Sequence, residues 1–147
     1  MVEIFADGDG QPKKMNGRLK ALIVEDEAIV AESLKMKLQE LGFNVIGVTG
    51  SGREAIECAK ETHPDLVLMD FQITSDLNGT EAAVVIQGMA ECPIPIVFLT
   101  AHAANEFPLL RAVAPYVYLR KPFSDTDLKR ILDDAVRLRD GSSPLGH

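Results

Sequence analysis

Five short apolar runs, separated by stretches of helical periodicity, constrain this chain more than any other feature. The runs are Leu19–Val24, Val45–Val48, Leu66–Met69, Ile96–Leu99 and Tyr116–Leu119. Each has the length of a strand and is rich in Val, Ile or Leu, the pattern of strands buried on both faces. Between them, Val30, Leu34, Leu38 and Leu41 recur at helical spacing, and Gly42 supplies a stop. Ser51 and Glu54 form a capping box ahead of Ala55, Ile56 and Ala59. Ala82, Val85, Ile86 and Met89 make a third stripe, ended by Cys92-Pro93. Ser124 and Asp127 cap a last helix whose core face is Leu128, Ile131, Leu132, Ala135 and Leu138. Ala103 to Val113 contains Pro108, which predicts a short or late-starting helix there. Strand–helix alternation repeated in this way gives an α/β class, a doubly wound parallel sheet of five strands with helices on both faces.

The 147 residues suit one domain. Met1 to Gly17 and Gly141 to His147 show no apolar period, so residues 1–17 and 141–147 are expected to be flexible tails around a domain over 18–140. A net charge of −7 argues against a nucleic-acid binder, which needs clustered basic surface. Cys58 and Cys92 form no C-x-x-C pair, which argues against a zinc site or a disulfide framework. There is no signal-peptide pattern, and the longest apolar run, Ile94 to Ala101, is too short to cross a bilayer. The expectation is a soluble cytoplasmic protein.

Parallel sheets of this kind bind ligands beyond the carboxyl ends of their strands. There the sequence places Glu25-Asp26 after the first run, Asp70 after the third, Thr100 after the fourth and Arg120-Lys121-Pro122 after the fifth. Any one of these is an ordinary solvated strand end; their convergence on one edge is not. Three carboxylates together repel unless a cation joins them, and hard oxygen ligands suit Mg²⁺, which with one lysine brings the formal charge to neutrality. An aspartate is already ionised at neutral pH, so it can attack phosphorus without a general base, given charge neutralisation and positioning.

The segments Ala21-Leu22-Ile23-Val24-Glu25-Asp26-Glu27, Pro64-Asp65-Leu66-Val67-Leu68-Met69-Asp70, Ile96-Val97-Phe98-Leu99-Thr100-Ala101 and Lys121-Pro122-Phe123 resemble the receiver domain of bacterial two-component response regulators. The likeness runs from about Leu19 to Arg139. It implies the flavodoxin-like strand order 2-1-3-4-5 and a set of roles. Asp70 would accept a phosphoryl group from a sensor histidine kinase or a histidine phosphotransfer protein. Glu25 and Asp26 would hold Mg²⁺ with Asp70 and the backbone carbonyl of Gln72. Thr100 and Lys121 would meet the phosphoryl oxygens, Tyr118 would be the switch aromatic, and the bond before Pro122 would be cis. Gln72 and His102 fall at two variable positions that tune phosphoryl lifetime in such domains; for His102 a surface histidine without a role weighs equally. For Tyr118 the rival reading is core filler.

Two departures from the family pattern stand out. Glu25 occupies a position where Asp is commoner, and the loop Phe71 to Gly79 lacks the usual Met-Pro and is one residue longer. The expectation is a stand-alone, non-enzymatic regulator, with a receiver cut from a larger protein as the other possibility, that signals through an unidentified downstream protein, without membrane insertion and with a homodimer left open. The alternative is a degenerate receiver acting as a phosphorylation-independent binding module. Enzymes of similar architecture fit less well. A haloacid-dehalogenase-like phosphatase needs Asp-x-Asp-x-Thr, whereas Asp26 is followed by Ala28 and Val30, and Glu25-Asp26-Glu27 would repel the phosphate of a flavin.

Overall fold

The computed structural model describes residues 3–4, 18–71, 79–89, 94–101 and 116–139. In chain order the elements are β1 (Glu3–Ile4), β2 (Lys20–Val24), α1 (Ala28–Glu40), β3 (Asn44–Thr49), α2 (Gly52–Thr62), β4 (Leu66–Asp70), α3 (Gly79–Met89), β5 (Ile96–Thr100), β6 (Tyr116–Arg120) and α4 (Asp125–Arg139). They build one sheet in the order β1-β3-β2-β4-β5-β6. The strands from β2 to β6 pair in parallel. Numbered among themselves, these five run 2-1-3-4-5, the expected order, and the order reverses beside β2.

Each parallel strand divides its side chains between two cores. On one face Leu22, Val24, Val67, Met69, Ile96 and Phe98 meet Ala55, Ile56 and Ala59 of α2 and Ala82, Ala83 and Ile86 of α3. On the other, Ala21, Ile23, Leu66, Leu68, Val97 and Leu99 meet Leu34 and Leu38 of α1 and Leu128, Leu132 and Ala135 of α4. A strand covered on both sides has no polar alternation to display, hence the unbroken apolar runs.

The helix ends follow the sequence signals. The Ser51 side chain accepts the Glu54 N–H at 3.1 Å. Gly42 has φ +96, a left-handed conformation that ends α1 at little cost to a residue without Cβ. Ser124 and Asp127 cap α4 reciprocally, the Asp127 N–H donating to Ser124 Oγ at 3.0 Å and the Ser124 N–H to Asp127 Oδ2 at 3.2 Å.

Two expectations are corrected. Within the presumed N-terminal tail, Glu3–Ile4 lies antiparallel to β3, with Glu3 opposite Val48 and Ile4 opposite Gly47. The outer edge of β3 offers unpaired backbone groups, and two residues suffice to bond to them while being too few to show a period. In α3 the buried side chains are Ala82, Ala83 and Ile86, whereas Val85 and Met89 are 42% and 38% exposed. Small Ala83 is fully buried in the core that α3 shares with α2. The expected helix over Ala103 to Val113 lies outside the described residues, as do Gln72, Cys92, His102 and residues 140–147.

Candidate functional site

The carboxyl edge of the sheet is held level by hydrogen bonds that extend the ladders past the strand ends. The Glu25 N–H donates to the Thr49 carbonyl at 2.9 Å, the Phe71 N–H to Leu99 at 2.9 Å, and the Lys121 N–H to Thr100 at 2.8 Å. Glu25, Asp70 and Lys121 thus emerge from backbone that cannot drift. Asp70 ends β4 opposite Leu99, and Thr100, one residue further on, ends β5. The Lys121–Pro122 peptide is cis.

Oxygens of Glu25, Asp26 and Asp70 all lie within 4.8 Å of one another. The Lys121 ammonium stands 3.6 Å from Asp70 Oδ1 and 3.9 Å from Glu25 Oε1. Four of the residues expected at this edge therefore meet in one cluster. Thr100 is buried at the neighbouring strand end. Tyr118 is 42% exposed on β6, which excludes the core-filler reading. That role falls to Tyr116, whose ring packs edge-on to Phe98 with centroids 6.1 Å apart.

Glu25 is the most constrained member. It is 3% exposed. Its Oε2 accepts the Glu27 N–H at 3.2 Å. Its Oε1 is buried with no hydrogen-bond partner. Burial pushes the Glu25 carboxyl from 4.5 up to about 7, helped by the negative charge of Asp70 and opposed by the Glu27 N–H and the Lys121 ammonium. A buried carboxylate oxygen without a donor is costly unless a cation or proton completes it. The site therefore fits a small divalent cation on three separate counts: an all-oxygen donor set, a close spacing of the three carboxylates, and a buried Glu25 oxygen without a hydrogen-bond partner.

Sequence reasoning missed a second polar centre at the opposite, amino-terminal end of the strands. Asp65, 6% exposed, accepts the Lys20 N–H at 2.8 Å and the Arg139 guanidinium at 3.0 and 3.3 Å. Asp65 reads in sequence as a turn residue and Arg139 as solvated surface. They lie 74 positions apart, so no local spacing could join them.

Comparison with known proteins bears on this geometry. The family model for the response regulator receiver domain matches residues 21–133. The transcriptional regulatory protein PdtaR of Mycobacterium tuberculosis is 37% identical over 80% of this chain and 56% of its own length. The phyllosphere-induced regulator PhyR of Methylorubrum extorquens is 29% identical over 92% of this chain and 50% of its own. The chain thus spans about half the length of these curated relatives. Among solved structures, the signal receiver domain of a modulated diguanylate cyclase from Desulfovibrio desulfuricans superposes with a TM-score of 0.74, is 32% identical, and covers 84% of this chain and 97% of its own. The match takes in all the parallel strands and most of α4, and the acidic cluster and its lysine lie inside it: this chain belongs to the response regulator receiver domain family.

Proposed function

We propose that this protein is a phosphorylation switch in which Asp70 takes the phosphoryl group. The observation that carries the reading is the pairing of a strand-end aspartate, 6% exposed, with a lysine ammonium at 3.6 Å beside two further carboxylates. An Asp70 oxygen attacks the phosphorus of a phosphohistidine on a sensor histidine kinase or a histidine phosphotransfer protein. The new P–O bond forms as the P–N bond breaks, and the imidazole nitrogen leaves with the electron pair. Glu25, Asp26 and Asp70, with the Gln72 carbonyl, would hold Mg²⁺, which neutralises charge on the transferring group. Lys121 pairs with the phosphoryl oxygens, and the Thr100 hydroxyl donates to them.

The new charge then acts as a population shift. Thr100 drawn toward the phosphoryl group frees space on β6, where Tyr118 is already half out of the protein. Output is contact with another protein rather than catalysis, in the cytoplasm where the donor acts. Gln72 and His102 would set how long the phosphoryl group survives. Incubation with acetyl phosphate and Mg²⁺ is expected to add the mass of one phosphoryl group to the protein and none to Asp70→Asn. Normal labelling of that variant would overturn the assignment, and failure of Mg²⁺ to bind would favour a phosphate-independent binding module.

A further inference from the structure

The outer edge of β3 carries a backbone pattern that the phosphoryl site does not use. The Asn44 N–H donates to the Leu19 carbonyl at 2.9 Å, and the Thr49 carbonyl accepts the Glu25 N–H at 2.9 Å, so both residues aim their backbone groups at β2. Successive residues of a strand aim these groups to opposite sides, so those of Val45 and Val48 face outward. In a regular strand such outward residues alternate with inward ones. Here two residues separate them, because β2 sets Ala21 opposite Val45 and Leu22 opposite Gly47 and leaves Ile46 as an extra residue. β1 takes this edge antiparallel, with Glu3 opposite Val48 and Ile4 opposite Gly47, and among the described residues no strand faces Val45. Asn44 to Thr49 holds none of the charged residues or prolines that keep sheet edges apart.

The odd spacing selects the occupant. A regular strand bonded to Val48 falls out of step before it reaches Val45. A second copy of β3 stays in step, because it carries the same extra residue. Two copies related by a twofold axis run antiparallel, the sense in which β1 already pairs. Val45 of one copy then stands opposite Val48 of the second, twice over, and all 6 residues from Asn44 to Thr49 find mates. We propose that the β3 edge is a self-association surface for a second copy of this chain, with β1 as a cap that must leave before two edges join. Only Val48 of the outward pair meets this cap, through Glu3, and a contact that small opens readily. The sheet then continues through the twofold axis from one copy into the other.

The test uses the full chain carrying Glu3→Pro together with Ile4→Pro. The rings remove the donor that meets Val48 and hold the cap outside strand geometry, while β3 itself is unchanged. Amide hydrogen exchange is followed by NMR at Val45 and Val48. Phe71 and Lys121, whose N–H groups bond inside the sheet, report on the fold. The unsubstituted chain is expected to sediment as a monomer. The variant is expected to dimerise with a dissociation constant on the order of 0.1 mM, so that Val45 and Val48 exchange about fourfold more slowly at ~1 mM protein than at ~20 μM. A variant that stays monomeric, with both amides exchanging fast at every concentration, would overturn the proposal. So would a dimer in which their exchange ignores concentration, because its contact lies elsewhere. Dimerisation of the unsubstituted chain to the same extent would remove the cap from the account. Lost protection at Phe71 and Lys121 would do the same, by making β1 a part of the fold rather than a cover on it.

Discussion

Two buried carboxylates, Glu25 and Asp65, differ in the donors that meet them. Asp65 is fully served by donors from Lys20 and Arg139. Asp65→Ala would remove this acceptor from both, and urea unfolding should show a loss of about 3 kcal/mol, the usual scale for removing one member of a buried pair. A loss below about 1 kcal/mol would mean that the guanidinium finds water instead. Glu25 is under-served and holds its proton to about 7. Its folded-state value lies above the unfolded one, so the folded protein binds more protons between the two. The contribution of Glu25 to the stability of the metal-free protein is therefore fully present below about 4.5 and is lost as pH rises through about 7. Glu25→Gln should flatten that fall in urea midpoints measured across this range, and an unchanged slope would place the titration elsewhere. The pair also marks what local reading can reach. Glu25 was visible because it follows an apolar run; the Asp65–Arg139 bond was not, because it depends on where α4 ends in space.

At the scale of elements, signals that act within a few residues translated well. Ser51, Gly42 and Ser124 mark helix ends, and the structure puts a cap or a stop at each. The Ser124 N–H donates to the Asp127 carboxylate and, with the Ser124 hydroxyl beside it, holds that carboxyl below the usual range. Ser124→Ala should cost about 1 kcal/mol in chemical denaturation. It should also let the Asp127 carboxyl rise part of the way toward its ordinary value in a carboxyl NMR titration, since the backbone donor at position 124 remains. No change in either would show that α4 is held by its packing alone. What failed is equally physical. The stripe through Val85 and Met89 reads in sequence as core, but a helix rich in apolar residues on both sides does not reveal which face turns inward. The strand at Glu3–Ile4 gave no signal because a backbone ladder of that length asks nothing of its side chains.

For the whole molecule, the convergence of Glu25, Asp26, Asp70 and Lys121 on one edge is legible in the apolar runs themselves, whereas the strand order 2-1-3-4-5 follows from the family resemblance. A parallel sheet buried on two faces writes its strands as apolar runs, and right-handed crossovers bring the ends of those runs to a common edge. The acidic cluster is a consequence of topology as much as of residue type. The outward spacing on the β3 edge is not legible, since the extra residue at Ile46 shows only in the register of β3 against β2.

The central claim is that Asp70 itself carries the phosphoryl group, and borohydride trapping tests it most directly. An acyl phosphate at an aspartate is reduced to homoserine, which peptide mass spectrometry locates by residue. After acetyl phosphate and Mg²⁺, homoserine is expected at position 70 and nowhere else. Homoserine at Asp26 or at another carboxylate, with position 70 unmodified, would contradict the account.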